Sequence, residues 1–163
     1  MGAYYDGTKL LSMLHINGRK PEIYMCTTNR TGGKTTYFGR LCVNRFLKEN
    51  INVASLKYSV FPYHYPVQEL EINESINILR KYSKKIFLLG FSAGAHLSLL
   101  AYTNENNKDV KGMIALYPVV SFKEYVHEGS RDHFLNYETN EDNIKKYSIE
   151  NVRKELNEIY REI

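Results

Sequence analysis

The stretch Lys85-Ile86-Phe87-Leu88-Leu89-Gly90-Phe91-Ser92-Ala93-Gly94-Ala95-His96-Leu97-Ser98-Leu99-Leu100 decides how the rest of the chain reads. An apolar run of strand length ends at Gly90, a serine stands between two glycines, and a second apolar segment follows at once. This is G-x-S-x-G between a buried strand and a buried helix, the setting in which a sharp turn points a serine side chain away from the backbone. Gly90 and Gly94 keep side chains out of the space where strand and helix cross. The helix N-terminus beneath Ser92 offers free N–H groups and a partial positive charge, which suit a developing oxyanion. A serine that merely starts a helix after a parallel strand would need the same glycines for packing alone. The strand before and the helix after favour Ser92 as a nucleophile.

Working outward, Glu22 to Thr27 reads as a buried strand introduced by Pro21, and Thr28 to Lys34 as a polar loop carrying Gly32 and Gly33. A helix is predicted from about Thr35 to Glu49, with Phe38, Leu41, Cys42, Arg45 and Phe46 on one face. Ile51 to Tyr58 is a second strand, and the prolines at 62 and 66 break the chain after it. Val67 to Tyr82 is predicted as an amphipathic helix, with Leu70, Ile72, Ile76 and Leu79 on or near its inner face. Val110 to Tyr117 is a fourth strand stopped by Pro118, followed by a polar irregular stretch and a charged helix from Asn143 to Ile163. Ahead of all this, Leu10, Leu11, Met13 and Leu14 suggest a short apolar helix face, and Asn17-Gly18 a turn.

Strand and helix thus alternate. The prediction is an α/β three-layer sandwich with a mainly parallel sheet, its strand-end loops gathered on one edge. The loop at Gly32-Gly33 and the turn at Ser92 both fall on that edge.

Composition narrows the classes. At 163 residues the chain makes one α/β domain, residues 1–163, and a second core would be too small. A hydrophobic share of 43% and a charged share of 25% are those of an ordinary globular protein. The net charge of +4 is dispersed, which argues against nucleic-acid binding. Cys26 and Cys42 form neither a C-x-x-C pair nor a metal spacing, so no metal site is expected and a cytoplasmic, reduced protein is. With no signal-like segment and no membrane-length apolar run, no membrane association is expected either.

From about Ile51 to Val152 the chain resembles an α/β-hydrolase of the acetyl-esterase and lipase-like branch. Asn52 to Tyr58 followed by Pro62 is similar to that branch's strand ending in tyrosine before a proline-containing loop. Gly90-Phe91-Ser92-Ala93-Gly94-Ala95-His96-Leu97 is close to its elbow, G-F-S-A-G-G-H-L, and Ile114 to Pro118 is similar to its next strand, which ends in Tyr-Pro. The resemblance implies a partial α/β-hydrolase-like fold, Ser92 as nucleophile and the Ala93 N–H as one oxyanion donor. It implies a second donor from the loop where the family carries His-Gly-Gly-x; Thr31-Gly32-Gly33-Lys34 occupies that place, with Thr31 for the histidine. His96 packs the helix in this family and is not its general base. The family's acid and histidine arrive on later strands, beyond the expected span of this chain. His127 or His133, with Glu124 or Asp132, are the substitutes available after the fourth strand, and exposed loop residues are the favoured reading of them.

A second resemblance covers residues 20–50. Pro21 to Phe38, containing Gly32-Gly33-Lys34-Thr35, looks like a Walker A segment, closest to the ATPases that package bacteriophage DNA. It implies a phosphate cradle in which Gly33 and Lys34 approach the phosphates and Thr35 holds the magnesium of Mg-ATP. Thr28 occupies the leading glycine position, and no predicted strand ends in the acid that would complete the magnesium site. The two resemblances meet near residues 46–51, where a junction of two sequence origins is expected.

Three functions follow in order. The first is a serine esterase-like hydrolase acting on small carboxylic esters, needing no cofactor and catalytically incomplete if no base is recruited. The second is a P-loop-like nucleotide- or phosphate-binding module. The third is a non-enzymatic truncated scaffold, whose open sheet edge a homodimer would cover.

Overall fold

The structure, a computed structural model, describes residues 11–16, 22–27, 30–31, 34–35, 37–56, 58–59, 63–123, 132, 135 and 140–149. The strands are β1 (Leu11–His15), β2 (Glu22–Thr27), β3 (Arg30–Thr31), β4 (Lys34–Thr35), β5 (Asn52–Leu56), β6 (Lys85–Phe91) and β7 (Gly112–Leu116). The helices are α1 (Tyr37–Lys48), α2 (Val67–Leu79), α3 (Ala93–Tyr102) and α4 (Glu141–Tyr147), with a 3-10 turn at Glu105–Asn107.

Five strands make one sheet in the order β1-β5-β2-β6-β7, and β3 with β4 forms a separate small ladder. β5, β2, β6 and β7 run parallel, and β1 is antiparallel to β5. This is the predicted α/β architecture. Side chains alternate across the sheet because successive strand residues face opposite ways. Ile23, Met25, Ala54, Leu56, Ile86 and Leu88 pack with Ile72, Ile76 and Leu79 of α2 and Leu97 and Ala101 of α3. Cys26, Val53, Leu89 and Phe91 face the other side, against Val43, Phe46 and Leu47 of α1. On that side Tyr24 stacks between Phe46 and Phe87, with ring centroids 5.1 Å away on each side. The larger core lies under α2 and α3.

The strand order places the site. The chain enters the sheet at the edge strand β1, crosses to β2, steps back outward to β5, then passes over β2 to β6 and on to β7. The connections of the neighbours β2 and β6 therefore leave in opposite directions, which opens a crevice at their carboxyl ends. Thr27 is in register with Gly90, so the loop after β2 and the turn at Ser92 leave the sheet side by side.

Several expectations need correction. Leu11, Met13 and Leu14 belong to a strand and not a helix: β1 pairs with the outer edge of β5, with His15 opposite Val53 and Leu11 opposite Leu56. A segment this short has little helical stability of its own, and the unpaired edge of β5 supplies backbone partners. In α1 the inward residues are Val43, Phe46 and Leu47, whereas Leu41 and Arg45 are exposed. In α2 Leu70 is exposed, and the inner face runs through Gln68, Ile72, Ser75, Ile76 and Leu79. α4 begins at Glu141, two residues early, because Asn140 caps it by accepting a hydrogen bond from the Asn143 N–H at 2.8 Å. Leu10, Asn17 and Gly18, and the tail beyond residue 149, lie outside the described residues.

Residues 46–51 form a helix-ending turn. Asn50 adopts φ 56°, Ile51 N–H donates to Phe46 O at 2.9 Å, and Asn50 N–H donates to Leu47 O at 3.1 Å. These are the paired bonds of a Schellman cap, with asparagine in the left-handed position it tolerates better than most residues. β7 is the outermost described strand on its side of the sheet, and Ile114 is half exposed there. Among the described residues no helix is long and apolar enough to cross a membrane.

Candidate active site

Ser92 sits between β6 and α3 with φ 52° and ψ −121°. Few non-glycine residues adopt such a conformation, and it persists only where the surroundings enforce it. The surroundings here are specific. Ser92 N–H donates to Leu116 O of β7 at 2.9 Å, and Ser92 O accepts from Ala95 N–H at 2.9 Å and His96 N–H at 3.1 Å. The residue is held from both sides of its peptide, and it is exposed.

The flanking glycines make the turn sterically feasible. A Cβ at Gly90 would stand 2.4 Å from the Cα of Ala95, and one at Gly94 would stand 2.2 Å from the carbonyl oxygen of Thr27. Both obstacles are backbone, which a neighbouring rotamer change cannot relieve. Ala93 is half-buried and opens α3, so its N–H is among those a helix leaves unbonded within itself. An exposed serine oxygen beside a helix N-terminus can attack a carbonyl carbon while the oxyanion develops next to N–H donors.

Beneath the turn, Ser98 Oγ donates to Thr27 Oγ1 at 3.0 Å, and both residues are fully buried. This bond ties α3 to the last residue of β2, where the loop carrying Gly32 and Gly33 departs. Gly32 and Gly33 themselves lie outside the described residues. Their flanks pair as a short antiparallel ladder, Arg30 with Thr35 and Thr31 with Lys34, and α1 begins only at Tyr37. Lys34 and Thr35 thus lie in a short strand ahead of α1.

His96 is buried within α3. Its Nδ1–H donates to Val119 O at 2.7 Å, and its ring meets Phe122 edge-on with centroids 4.9 Å apart. Burial pushes the imidazole down to about 4, against the opposing effect of the Val119 bond. A packing role within the helix is what the sequence reading expects of it. Glu124, His127 and His133 lie outside the described residues, and Asp132 is half-buried. Among the described residues no cluster of three His, Cys, Asp or Glu side chains is placed to hold a metal ion.

No family model and no curated protein matches this sequence. Solved structures do match its fold. An acetyl ester-xyloside bifunctional hydrolase from Caldicellulosiruptor lactoaceticus superposes with a TM-score of 0.69 at 22% identity, over 83% of this chain and 58% of that one. The fold is of the α/β-hydrolase type. A sugar hydrolase from Lactococcus lactis is similar at 25% identity and a TM-score of 0.59, over 79% of this chain and 55% of that one. A lipase/esterase from Lactobacillus plantarum follows at 16% and 0.58, over 71% and 58%. The chain therefore spans little more than half the length of these hydrolases.

One residue at this edge was read from the sequence as a strand end and not as part of the site. Tyr117, directly after β7, has φ 55° and is 88% exposed. Its only sequence signal is the Tyr117-Pro118 pair.

Proposed function

We propose that the chain is a serine hydrolase domain acting on small carboxylic esters. The observation that carries this reading is an exposed Ser92 held at φ 52°, ψ −121° on the turn between β6 and α3. Ser92 Oγ attacks the ester carbonyl carbon and the Oγ proton passes to a base. The Oγ–C bond forms, the ester C–O bond breaks, and the alcohol leaves with a proton; water then releases the acid by the same steps in reverse order. In this reading the Ala93 N–H stabilises the oxyanion, joined by a backbone N–H of Gly32 or Gly33.

His96 does not serve as the base. Its Nδ1–H is engaged by Val119 O, and its burial disfavours the imidazolium a base must become. His127 and His133 are the other histidines after Ser92 in this sequence and the candidates for the base. The likeness to an acetyl ester-xyloside hydrolase and to a lipase/esterase supports ester chemistry as the class.

The test is intact-mass analysis after treatment with a fluorophosphonate, alongside turnover of p-nitrophenyl acetate. One adduct on the original protein, with neither adduct nor turnover in Ser92→Ala, is the expected result. Turnover that survives in Ser92→Ala overturns the reading.

A further inference from the structure

Among the described residues three non-glycine positions have positive φ: Asn50, Ser92 and Tyr117. Asn50 caps a helix, and Ser92 is the exposed serine of the turn. Tyr117 has neither reason. A bulky aromatic in the left-handed region is strained, and the proline that follows restricts it further. With 88% of its surface exposed, the side chain gains almost nothing from burial to offset that strain.

The segment around it is nevertheless fastened on both sides. Leu116 O accepts the Ser92 N–H at 2.9 Å, and Val119 O accepts from His96 Nδ1 at 2.7 Å. The start of α3 thus grips the chain immediately before and two residues after Tyr117. Further along, Val120 O accepts the Ile149 N–H at 2.8 Å, and Phe122 N–H donates to Ser148 Oγ at 2.9 Å. Phe91 pairs with Leu116, so Ser92 and Tyr117 are the residues that directly follow the paired ends of two adjacent parallel strands. The neighbours Leu116 and Val120 are also partly exposed, at 37% and 51%.

We infer that Tyr117 is a specificity-determining residue of the Ser92 site, its ring forming a wall against which an aryl group of the substrate packs. Strain held rigidly at an exposed aromatic beside a reactive serine is preorganisation: the ring's position is set before the ligand arrives. Aryl esters are the substrate class it selects, through ring-on-ring contact that a short alkyl group cannot make. This inference rests on the esterase reading of Ser92.

The test compares two fluorophosphonates, one bearing an ethyl and one a phenyl group, each rate normalised to its hydrolysis in buffer. In both reactions Ser92 Oγ bonds to phosphorus and fluoride leaves. The original protein is expected to favour the phenyl probe, and Tyr117→Gly to lower the phenyl-to-ethyl ratio roughly five- to tenfold. Tyr117→Phe keeps a ring and is expected to restore the ratio. Tyr117→Gly also removes the backbone strain, so its melting temperature is expected to rise by about 2 °C, showing that the lost preference is not lost folding. An unchanged ratio in Tyr117→Gly, with both probes still labelling Ser92, overturns the inference and leaves the esterase reading standing. Failure of both probes to label any of the proteins overturns the esterase reading, and the inference falls with it.

Discussion

Gly94 on α3 lies flat against the carbonyl of Thr27 at the end of β2, so close that a Cβ there would stand 2.2 Å from the carbonyl oxygen. Helix and strand approach this far because one of them carries no side chain at the crossing. Gly94→Ala is therefore expected to destabilise the fold by about 2 kcal/mol or more, since backbone must move to admit the methyl group. Gly90→Ala should cost a comparable amount against Ala95. Gly112→Ala meets only the Phe87 ring at 3.3 Å, a side chain able to give, and should cost clearly less. Urea denaturation of the three variants checks the ranking; equal costs would mean that α3 is not held against β2 as described.

The conformation of Ser92 makes an unusual stability order. Glycine in place of alanine normally costs stability through unfolded-chain entropy. At φ 52° the order should invert, with Ser92→Gly more stable than Ser92→Ala by about 1 kcal/mol. Both variants should lack esterase turnover. Thermal denaturation of the pair gives the comparison, and a more stable alanine variant would mean that the turn is relaxed.

Thr27 and Ser98 form a hydroxyl pair with no access to water. Ser98→Ala strands the Thr27 hydroxyl and is expected to cost about 1–2 kcal/mol. Adding Thr27→Val should cost less than the two single changes summed, with a coupling of about 1 kcal/mol in a double-mutant cycle. Strict additivity would show that the pair does not couple α3 to the loop leaving β2.

His96 gives stability a pH dependence of known sign. Its folded-state value lies near 4, below the ordinary 6.5, so between those values the unfolded chain holds a proton that the folded chain does not. Stability is full above about pH 6.5, falls as pH drops toward 4, and then levels off, with a total loss of roughly 3 kcal/mol at most. Denaturant midpoints measured at several pH values should show this decline, and His96→Gln should lack the part due to the imidazole. Parallel declines in the two proteins would assign the dependence to other groups.

Much of this arrangement is local and was legible in the chain itself. An apolar run, two glycines around a serine and a second apolar run specify strand, tight turn and helix, because each is dictated by periodicity and by the volume of the residues at the crossing. The alternation of such units specified a mainly parallel α/β sheet, and with it the edge on which Ser92 emerges. Other features depend on partners distant in sequence. Leu11 to His15 became a strand because β5 offered an unpaired edge, a fact about pairing and not about those five residues. Leu41 and Leu70 turned outward because the core under each helix was already filled by Val43, Phe46 and Leu47, or by Ile72, Ile76 and Leu79, and a helix can bury only one stripe. The strained backbone of Tyr117 is likewise invisible in the sequence. It arises where the bonds from Ser92 and His96 meet the exit of β7, and only the packed tertiary structure brings those three segments together.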